Sequence, residues 1–148
     1  MDHKKYMALA LELAREAFLD GEAPVGCVIV GTSDEVIGRG RNTRERDRNA
    51  LGHAELNAIY DACRSKGGWR LDNCSMYVTL EPCPMCAGAV INSRISKLFY
   101  GARDTAMGSC GSVINLFMER YGHSPQIVGG IMEDECSELL TSFFKGLR

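Results

Sequence analysis

Hydrophobic positions along the chain alternate between helical and extended patterns. Residues 3–19 repeat apolar side chains at helical spacing, which predicts an amphipathic helix. Short apolar runs rich in β-branched residues predict five strands, and the segments between several of them predict further helices. The predicted strands are VGCVIV, EVIGRG, CSMYVTL, KLFYGA and PQIVGGI, and the later helices are HAELNAIYDACRSKG, PMCAGAVINSR, VINLFMERYG and DECSELLTSFFKGL.

The predicted order, α-β-β-α-β-α-β-α-β-α, favours an α/β protein in which helices cover the faces of a sheet. We therefore expect a three-layer α/β/α sandwich with a central five-stranded mixed sheet. No internal repeat, low-complexity segment or linker divides the chain. Residues 1–148 are expected to form one domain, and this length can bury a sizeable core.

Composition excludes some classes of protein and sets the expected compartment. Hydrophobic residues make up 45% of the chain and charged residues 24%, which is ordinary for a globular protein. A net charge of −2 argues against a strongly basic nucleic-acid binder. No signal peptide or membrane span is recognisable, so we expect a cytoplasmic protein. In a reducing compartment the seven cysteines are expected to be core residues or metal ligands rather than disulfides.

The segment PCPMC carries the first sign of chemistry. Cys83 and Cys86 are three residues apart, so on a helix they face the same side, and Pro84 places them in its first turn. The positive end of a helix favours thiolates, which bind zinc, although redox pairs and core cysteines share this spacing. His53, at the start of another predicted helix, would complete a Cys₂His set. Three protein ligands leave one tetrahedral position open, as in catalytic zinc sites.

Glu55 follows His53 by two residues and points in a different radial direction. The histidine can therefore bind a metal while the carboxylate reaches the reacting water. Each residue alone could be an ordinary residue at a helix N-terminus. Together, H-A-E followed by P-C-P-M-C matches the known H-x-E…P-C-x-x-C signature of zinc deaminases. Zinc activates water near neutral pH, and one carboxylate can take a proton and return it during hydrolytic deamination.

Longer stretches resemble one family. EAPVGCVIV, HAELNAI, MYVTLEPCPMCAGAVINSRI, YGARD and LLTSFFKGLR are similar to segments of the bacterial tRNA-specific adenosine deaminases, within the cytidine-deaminase-like superfamily. The resemblance implies the cytidine-deaminase-like fold, conversion of the wobble adenosine of a tRNA anticodon to inosine, and a homodimer. It also implies one Zn²⁺ per chain bound by His53, Cys83 and Cys86, with Glu55 as the proton shuttle and the anticodon stem-loop as the partner.

The same resemblance assigns substrate contacts. It implies that Asn42 hydrogen-bonds the flipped base, that Asp104 meets the nucleotide at the pocket mouth, and that Phe143 and Phe144 lie near the anticodon loop. The alternatives are a turn asparagine, a loop or capping carboxylate, and core packing for at least one phenylalanine. A lysine common in the family two residues after the aspartate is Ala106 here, which weakens the assignment of tRNA but not that of a deaminase.

Five arginines lie in the segment RGRNTRERDRN. They are Arg39, Arg41, Arg44, Arg46 and Arg48. In an extended segment, alternate side chains point the same way, so several could face one phosphate backbone. The equally weighted alternative is a solvated loop, partly neutralised by Glu45 and Asp47.

Three functions follow from these residues. The first is a tRNA adenosine deaminase, and the second is a deaminase of a free base or nucleoside of guanine, cytosine or adenosine type. The third is a non-catalytic zinc-stabilised module. An intact Glu55 beside an open coordination position argues against the third.

Overall fold

The computed structural model describes residues 2–147. The strands are β1 (Gly26–Val30), β2 (Val36–Arg41), β3 (Ser75–Leu80), β4 (Lys97–Ala102) and β5 (Gln126–Val128). The helices are α1 (His3–Leu19), α2 (Ala54–Lys66), α3 (Pro84–Ser93) and α4 (Glu133–Lys145). Within this part of the chain, none of the helices has the length and apolar character needed to cross a membrane.

The five strands form one mixed sheet in the order β2-β1-β3-β4-β5. Strand β1 is antiparallel to both of its neighbours, whereas β3, β4 and β5 run parallel. Every residue of β1 is buried. A continuous apolar strand of this kind is typical of a sheet that is covered on both faces.

Helices cover both faces of the sheet. Buried side chains of α2 and α3 pack on one face with those of β1, β3 and β4. Side chains of α1 and α4 pack on the opposite face. The predicted three-layer α/β/α sandwich with a five-stranded mixed sheet is therefore confirmed.

Two glycines in β2 let α2 lie directly on the sheet. A Cβ atom at Gly38 or Gly40 would overlap backbone atoms of Ala54 and Ala58. Any larger residue at these positions would therefore push the helix away from the strand. This close approach places the first turn of α2 beside the end of β2.

The predicted helix over residues 113–122 was wrong, because only Leu116–Met118 form a single 3₁₀ turn. Long-range hydrogen bonds replace the helical pattern. The amide of Val113 donates to Gly108 O, and the amide of Leu116 donates to Ser109 O. The backbone donors of this segment are thus used by the preceding loop.

Candidate metal centre and substrate cleft

The first turn of α2 presents His53 and Glu55. His53 is the N-cap residue, with extended backbone, and Glu55 lies in the first turn. The side chain of Asn42, just after β2, fixes this helix start because its Oδ1 accepts a hydrogen bond from the Ala54 amide at 2.9 Å. Asn57 Nδ2 donates to Arg41 O at 2.8 Å and strengthens the same attachment.

The first turn of α3 presents the two cysteines. Cys83 is the N-cap residue with extended backbone, and Pro84 follows it at the first helical position. Proline suits that position because its fixed φ matches the helix and no amide partner is needed there. The amide of Ala87 donates to Cys83 O at 2.9 Å. Cys86 is buried in the first turn of α3, and Cys83 is partly exposed.

The two helix starts bring one nitrogen and two sulfur atoms together. His53 Nδ1 lies 3.6 Å from Cys83 Sγ and 3.6 Å from Cys86 Sγ. In a tetrahedral site with Zn–S and Zn–N bonds of about 2.3 and 2.1 Å, nitrogen and sulfur lie roughly 3.6 Å apart. Within residues 2–147 these three form the single group of three or more metal-binding side chains with ligand atoms mutually within 4.8 Å. The donor set therefore fits zinc in type and spacing.

The pKa values of the two cysteine thiols are shifted in opposite directions. Hydrogen bonds from the Cys86 thiol and from His53 lower the pKa of Cys83 to about 4. The same hydrogen bond to Cys83, together with burial, raises the pKa of Cys86. A hydrogen bond to Cys83 raises the pKa of His53. These interactions favour the thiolate form of Cys83, which is the form of cysteine that binds zinc.

Glu55 lies beside these ligands and is only 4% exposed. Burial is the main reason that its pKa is raised to about 7. The carboxyl group interacts electrostatically with His53, Cys83 and Cys86, so it lies next to the metal ligands.

A cleft of about 610 Å³ opens above the metal ligands. Its apolar lining residues are Ala23, Val25, Leu80, Ala106, Met107, Leu140 and Phe144. Its polar lining residues are Asn42, Arg44, His53, Glu55, Glu81, Cys83, Arg103, Asp104 and Thr105. An apolar cavity with a few convergent polar groups is typical of a site for a small organic group such as a base.

Both predicted substrate-binding residues, Asn42 and Asp104, line this cleft. Asn42 Oδ1 accepts from the Ala54 amide, and no hydrogen bond of its Nδ2 is formed within residues 2–147. Asp104 Oδ1 accepts from the amides of Ala106 and Met107, each at 3.1 Å, so it caps a turn as well.

The two phenylalanines of α4 have different surroundings. Phe144 lines the cleft and is 53% exposed. Phe143 packs edge-on against Phe18, with 5.7 Å between the ring centroids. Phe143 is partly buried and contacts α1 through Phe18, but it belongs to neither buried core cluster.

The arginine segment is not one extended surface. Residues 39–41 belong to β2, and hydrogen-bonded turns follow, including Asp47 N to Thr43 O and Asn49 N to Arg44 O. Arg44 lines the cleft, whereas Arg39, Arg41 and Arg46 line a separate depression. Arg41 pairs with Asp20 at 3.0 Å.

Two residues of this region were missed from the sequence. Arg103 adds a second cation to the cleft, and Glu81 lies buried directly before Pro82 and Cys83. Burial acts to raise the pKa of Glu81, but hydrogen bonds from Ser112 and nearby amides outweigh it and lower the pKa. The LEPC segment contains a signal for Glu81, because a carboxylate directly after a buried strand needs hydrogen-bond donors.

Three donors with an open fourth position, next to a buried carboxylate in a cleft, define the class of zinc-dependent hydrolytic enzymes rather than structural zinc sites. Residues 1–102 match the family model described as the cytidine and deoxycytidylate deaminase zinc-binding region. The chain belongs to this family of zinc-binding deaminases.

Individual relatives agree with this membership. A tRNA-specific adenosine deaminase of Bacillus subtilis is 44% identical over 97% of this chain and 89% of its own length. A solved structure from studies of A-to-I editing by tRNA:A34 deaminases is 39% identical, with a TM-score of 0.88 over 92% of this chain and 99% of that chain. A solved guanine deaminase of Bacillus subtilis is 38% identical, with a TM-score of 0.67 over 71% of this chain and 67% of that chain.

Removing either cysteine ligand should remove the metal. We expect purified protein to contain about one zinc ion per chain, and Cys83→Ser or Cys86→Ser to lose most of it, because hard oxygen replaces the thiolate that zinc prefers. Elemental analysis measures the content. Cys63→Ser is the matched control, since Cys63 lies outside the ligand group and should leave zinc unchanged. Full zinc retention in both ligand variants would refute the assignment.

Proposed function

We propose that the protein is a hydrolytic zinc-dependent deaminase that converts the wobble adenosine of a tRNA anticodon to inosine. The observation that carries this proposal is the position of Glu55 beside the group formed by His53, Cys83 and Cys86, at a cleft of base-binding character. The relatives described as tRNA-specific adenosine deaminase, matched over nearly their whole length, support tRNA as the substrate.

In this proposal His53, Cys83 and Cys86 hold one zinc ion per chain. A zinc ion bound there supplies the Lewis acidity that activates water near neutral pH. Glu55 takes a proton from the attacking water and delivers it to the ring nitrogen next to the reacting carbon. Glu55 then takes the second proton from the hydroxyl group now bonded to that carbon and passes it to the amino group. The C–N bond breaks, the carbonyl group of inosine forms and ammonia departs.

The cleft residues orient the base. Because the Ala54 amide occupies Asn42 Oδ1, the Nδ2 group is the part of this side chain available to donate to the base. We assign Asp104 to the nucleotide at the cleft mouth, through the carboxylate oxygen that does not cap the turn. Phe144 offers an exposed ring on which a flanking base can stack.

Deamination of a free base such as guanine is the second candidate. It is favoured by the likeness to the Bacillus subtilis guanine deaminase and by Ala106, which stands where a lysine is common in the tRNA-specific family. Two observations support tRNA more strongly. The likeness to the tRNA:A34 deaminase extends over 92% of this chain, against 71% for the guanine deaminase. Arg44 and Arg103, both exposed, also place two cations at the cleft, where a phosphate backbone would pass.

We propose further that residues 1–148 form one deaminase domain that works in the cytoplasm as a homodimer. Helices from both ends of the described chain pack on one sheet, which supports one domain. An exposed apolar segment beside α3 supports an interface between copies. Its members are Met107, Val113, Ile114, Met118 and Tyr121.

A turnover assay separates the two substrate classes. We expect inosine and ammonia from an anticodon stem-loop with a wobble adenosine, and no ammonia from guanine, cytosine, adenine or their nucleosides. Glu55→Gln should lower turnover by about 10²–10⁴-fold while zinc content and melting temperature stay close to wild type, because an amide cannot relay a proton. Near-normal turnover in this variant would remove Glu55 from its role. Release of ammonia from a free base but not from the stem-loop would refute the tRNA function and support deamination of a free base.

Salt dependence tests the arginines at the cleft. For single strands the log–log slope of affinity against salt is about −0.7 per phosphate neutralised. Arg44→Ala and Arg103→Ala should each weaken binding of the stem-loop and make the slope shallower by about 0.7 to 1. Fluorescence anisotropy across a salt series measures both quantities.

Arg70→Ala is the matched control for charge. Arg70 is also exposed but stacks on Trp69, in the loop after α2 and away from the cleft. We expect it to leave affinity and slope unchanged. Equal effects of all three substitutions would mean that the salt dependence reports overall charge rather than contacts at the cleft.

The oligomeric state tests the proposed interface. We expect sedimentation velocity to show a dimer at micromolar concentration. A stable interface typically buries about 800 Å² per partner, and the exposed apolar residues named above would contribute to it. Met118→Glu should shift the protein toward monomer, since it would bury a charge there. Leu19→Glu is the control, because Leu19 is 83% exposed, like Met118 at 80%, but ends a helix on the opposite face of the sheet. A wild-type protein that is only monomeric would refute the dimer.

A further inference from the structure

Glu81 is a buried carboxylate that serves neither the metal group nor an ion pair among residues 2–147. It is 2% exposed and lies two residues before Cys83. A buried charge without a cation beside it must be satisfied by hydrogen-bond donors. Each of its two oxygens accepts hydrogen bonds from one loop, residues 104–112.

The donors come from both ends of this loop. Oε1 accepts from the Asp104 amide at 3.1 Å and from the Ser112 hydroxyl. Oε2 accepts from the Cys110 amide at 2.9 Å and from the Ser112 amide at 3.2 Å. The Glu81 side chain therefore fixes both ends of the loop, at Asp104 just after β4 and at Cys110 and Ser112.

The loop closes tightly around the carboxylate. A Cβ atom at Gly108 would overlap the Glu81 carboxylate and Asp104 O, so the backbone passes directly over the charged group. The amide of Gly108 also donates to Asp104 O at 2.8 Å. Apart from one isolated bridge at Cys110, residues 104–112 lie outside the named strands and helices, so the ladder bonds of a sheet do not fix their conformation.

This loop forms one wall of the substrate cleft, through residues 104–107. Its anchor, Glu81, belongs to the same short connection that carries Cys83. We propose that Glu81 is a positioning residue, which holds the loop of residues 104–112 at a fixed distance from the metal ligands and thereby sets the affinity for the substrate. The kinetic part of this inference rests on the proposed function, whereas the structural part does not.

A second buried glutamate provides a matched comparison. Glu22, also 2% exposed, accepts hydrogen bonds from the amides of Glu45 at 3.0 Å and Arg46 at 2.8 Å. These amides belong to the turn that follows Arg44, another residue of the cleft. Each carboxylate thus holds a different loop, so substitution of one should leave the loop of the other in place.

Amide hydrogen exchange without RNA tests the anchor directly. Glu81→Gln keeps the shape of the side chain but replaces one accepting oxygen with an NH2 group. That group would face the N–H or O–H donors of the loop and could not accept their hydrogen bonds. We expect exchange at Asp104, Cys110 and Ser112 to become faster by roughly tenfold to a hundredfold, the range expected for losing hydrogen bonds to a charged group. Glu22→Gln should accelerate exchange at Glu45 and Arg46 instead. Unchanged exchange in residues 104–112 of Glu81→Gln would overturn the proposal, as would acceleration spread over the whole protein.

Steady-state kinetics on the anticodon stem-loop test the consequence. Glu81→Gln should raise KM by about tenfold with kcat within about threefold of wild type, because a binding wall is loosened while Glu55 and the metal ligands remain. Zinc content should not change. A fall in kcat at constant KM, or loss of zinc, would show a structural role only and overturn the inference.

Ser112→Ala keeps the test decisive if Glu81→Gln fails to fold. Ser112 is exposed, and its alanine variant removes one donor to Glu81. We expect a smaller rise in KM for Ser112→Ala alone. Where Glu81→Gln folds, the double variant should show no rise beyond that of Glu81→Gln, because the hydroxyl acts through the carboxylate. Additive effects of the two substitutions, or an unchanged KM in Ser112→Ala, would contradict the proposal. An inactive wild type with the expected exchange pattern would refute the tRNA function and leave the anchor standing.

Discussion

The convergence of two helix starts is the constraint on which the site depends. The first turns of α2 and α3 must meet so that His53 Nδ1 lies 3.6 Å from both sulfur atoms. A shift of either helix by one residue would move its side chains by about 1.5 Å along the axis and rotate them by about 100°. Such a shift would remove the ligands from one another's reach. The metal group is therefore a product of helix placement, not of the motifs alone.

Several features far apart in sequence enforce this placement. Gly38 and Gly40 allow α2 to lie against β2, and Asn42 then caps the helix at its first amide. On the other side, β3 lies inside the sheet, so the start of α3 follows from the position of a fully enclosed strand. Both helices also direct the positive end of their dipoles at the site, which favours thiolate and carboxylate groups there.

Local patterns in the sequence predicted most of the fold and the metal group. All five strands and the four helices α1 to α4 were predicted, because each has its own periodicity and its own start or stop signal. The helix over residues 113–122 failed for a long-range reason, since its amides are claimed by Gly108 and Ser109. The arginine segment also departs from one continuous extended pattern. Their alternation was correct only within β2, and the turns after Thr43 send Arg44 and Arg46 to different depressions.

Three buried glutamates show why residue type alone does not predict a role. Glu22 and Glu81 are surrounded by backbone amides, and each holds a loop of the cleft. Glu55 lies instead against the cysteine ligands and faces the cleft. Hydrogen bonds outweigh burial and lower the pKa of Glu81, whereas burial raises the pKa of Glu55 to about 7. The donors around Glu81 favour its ionised form, whereas the burial of Glu55 allows it to exchange a proton near neutral pH. Hydrogen bonds from the amides of a loop therefore distinguish the two anchoring glutamates of this cleft from Glu55, the proposed acid and base.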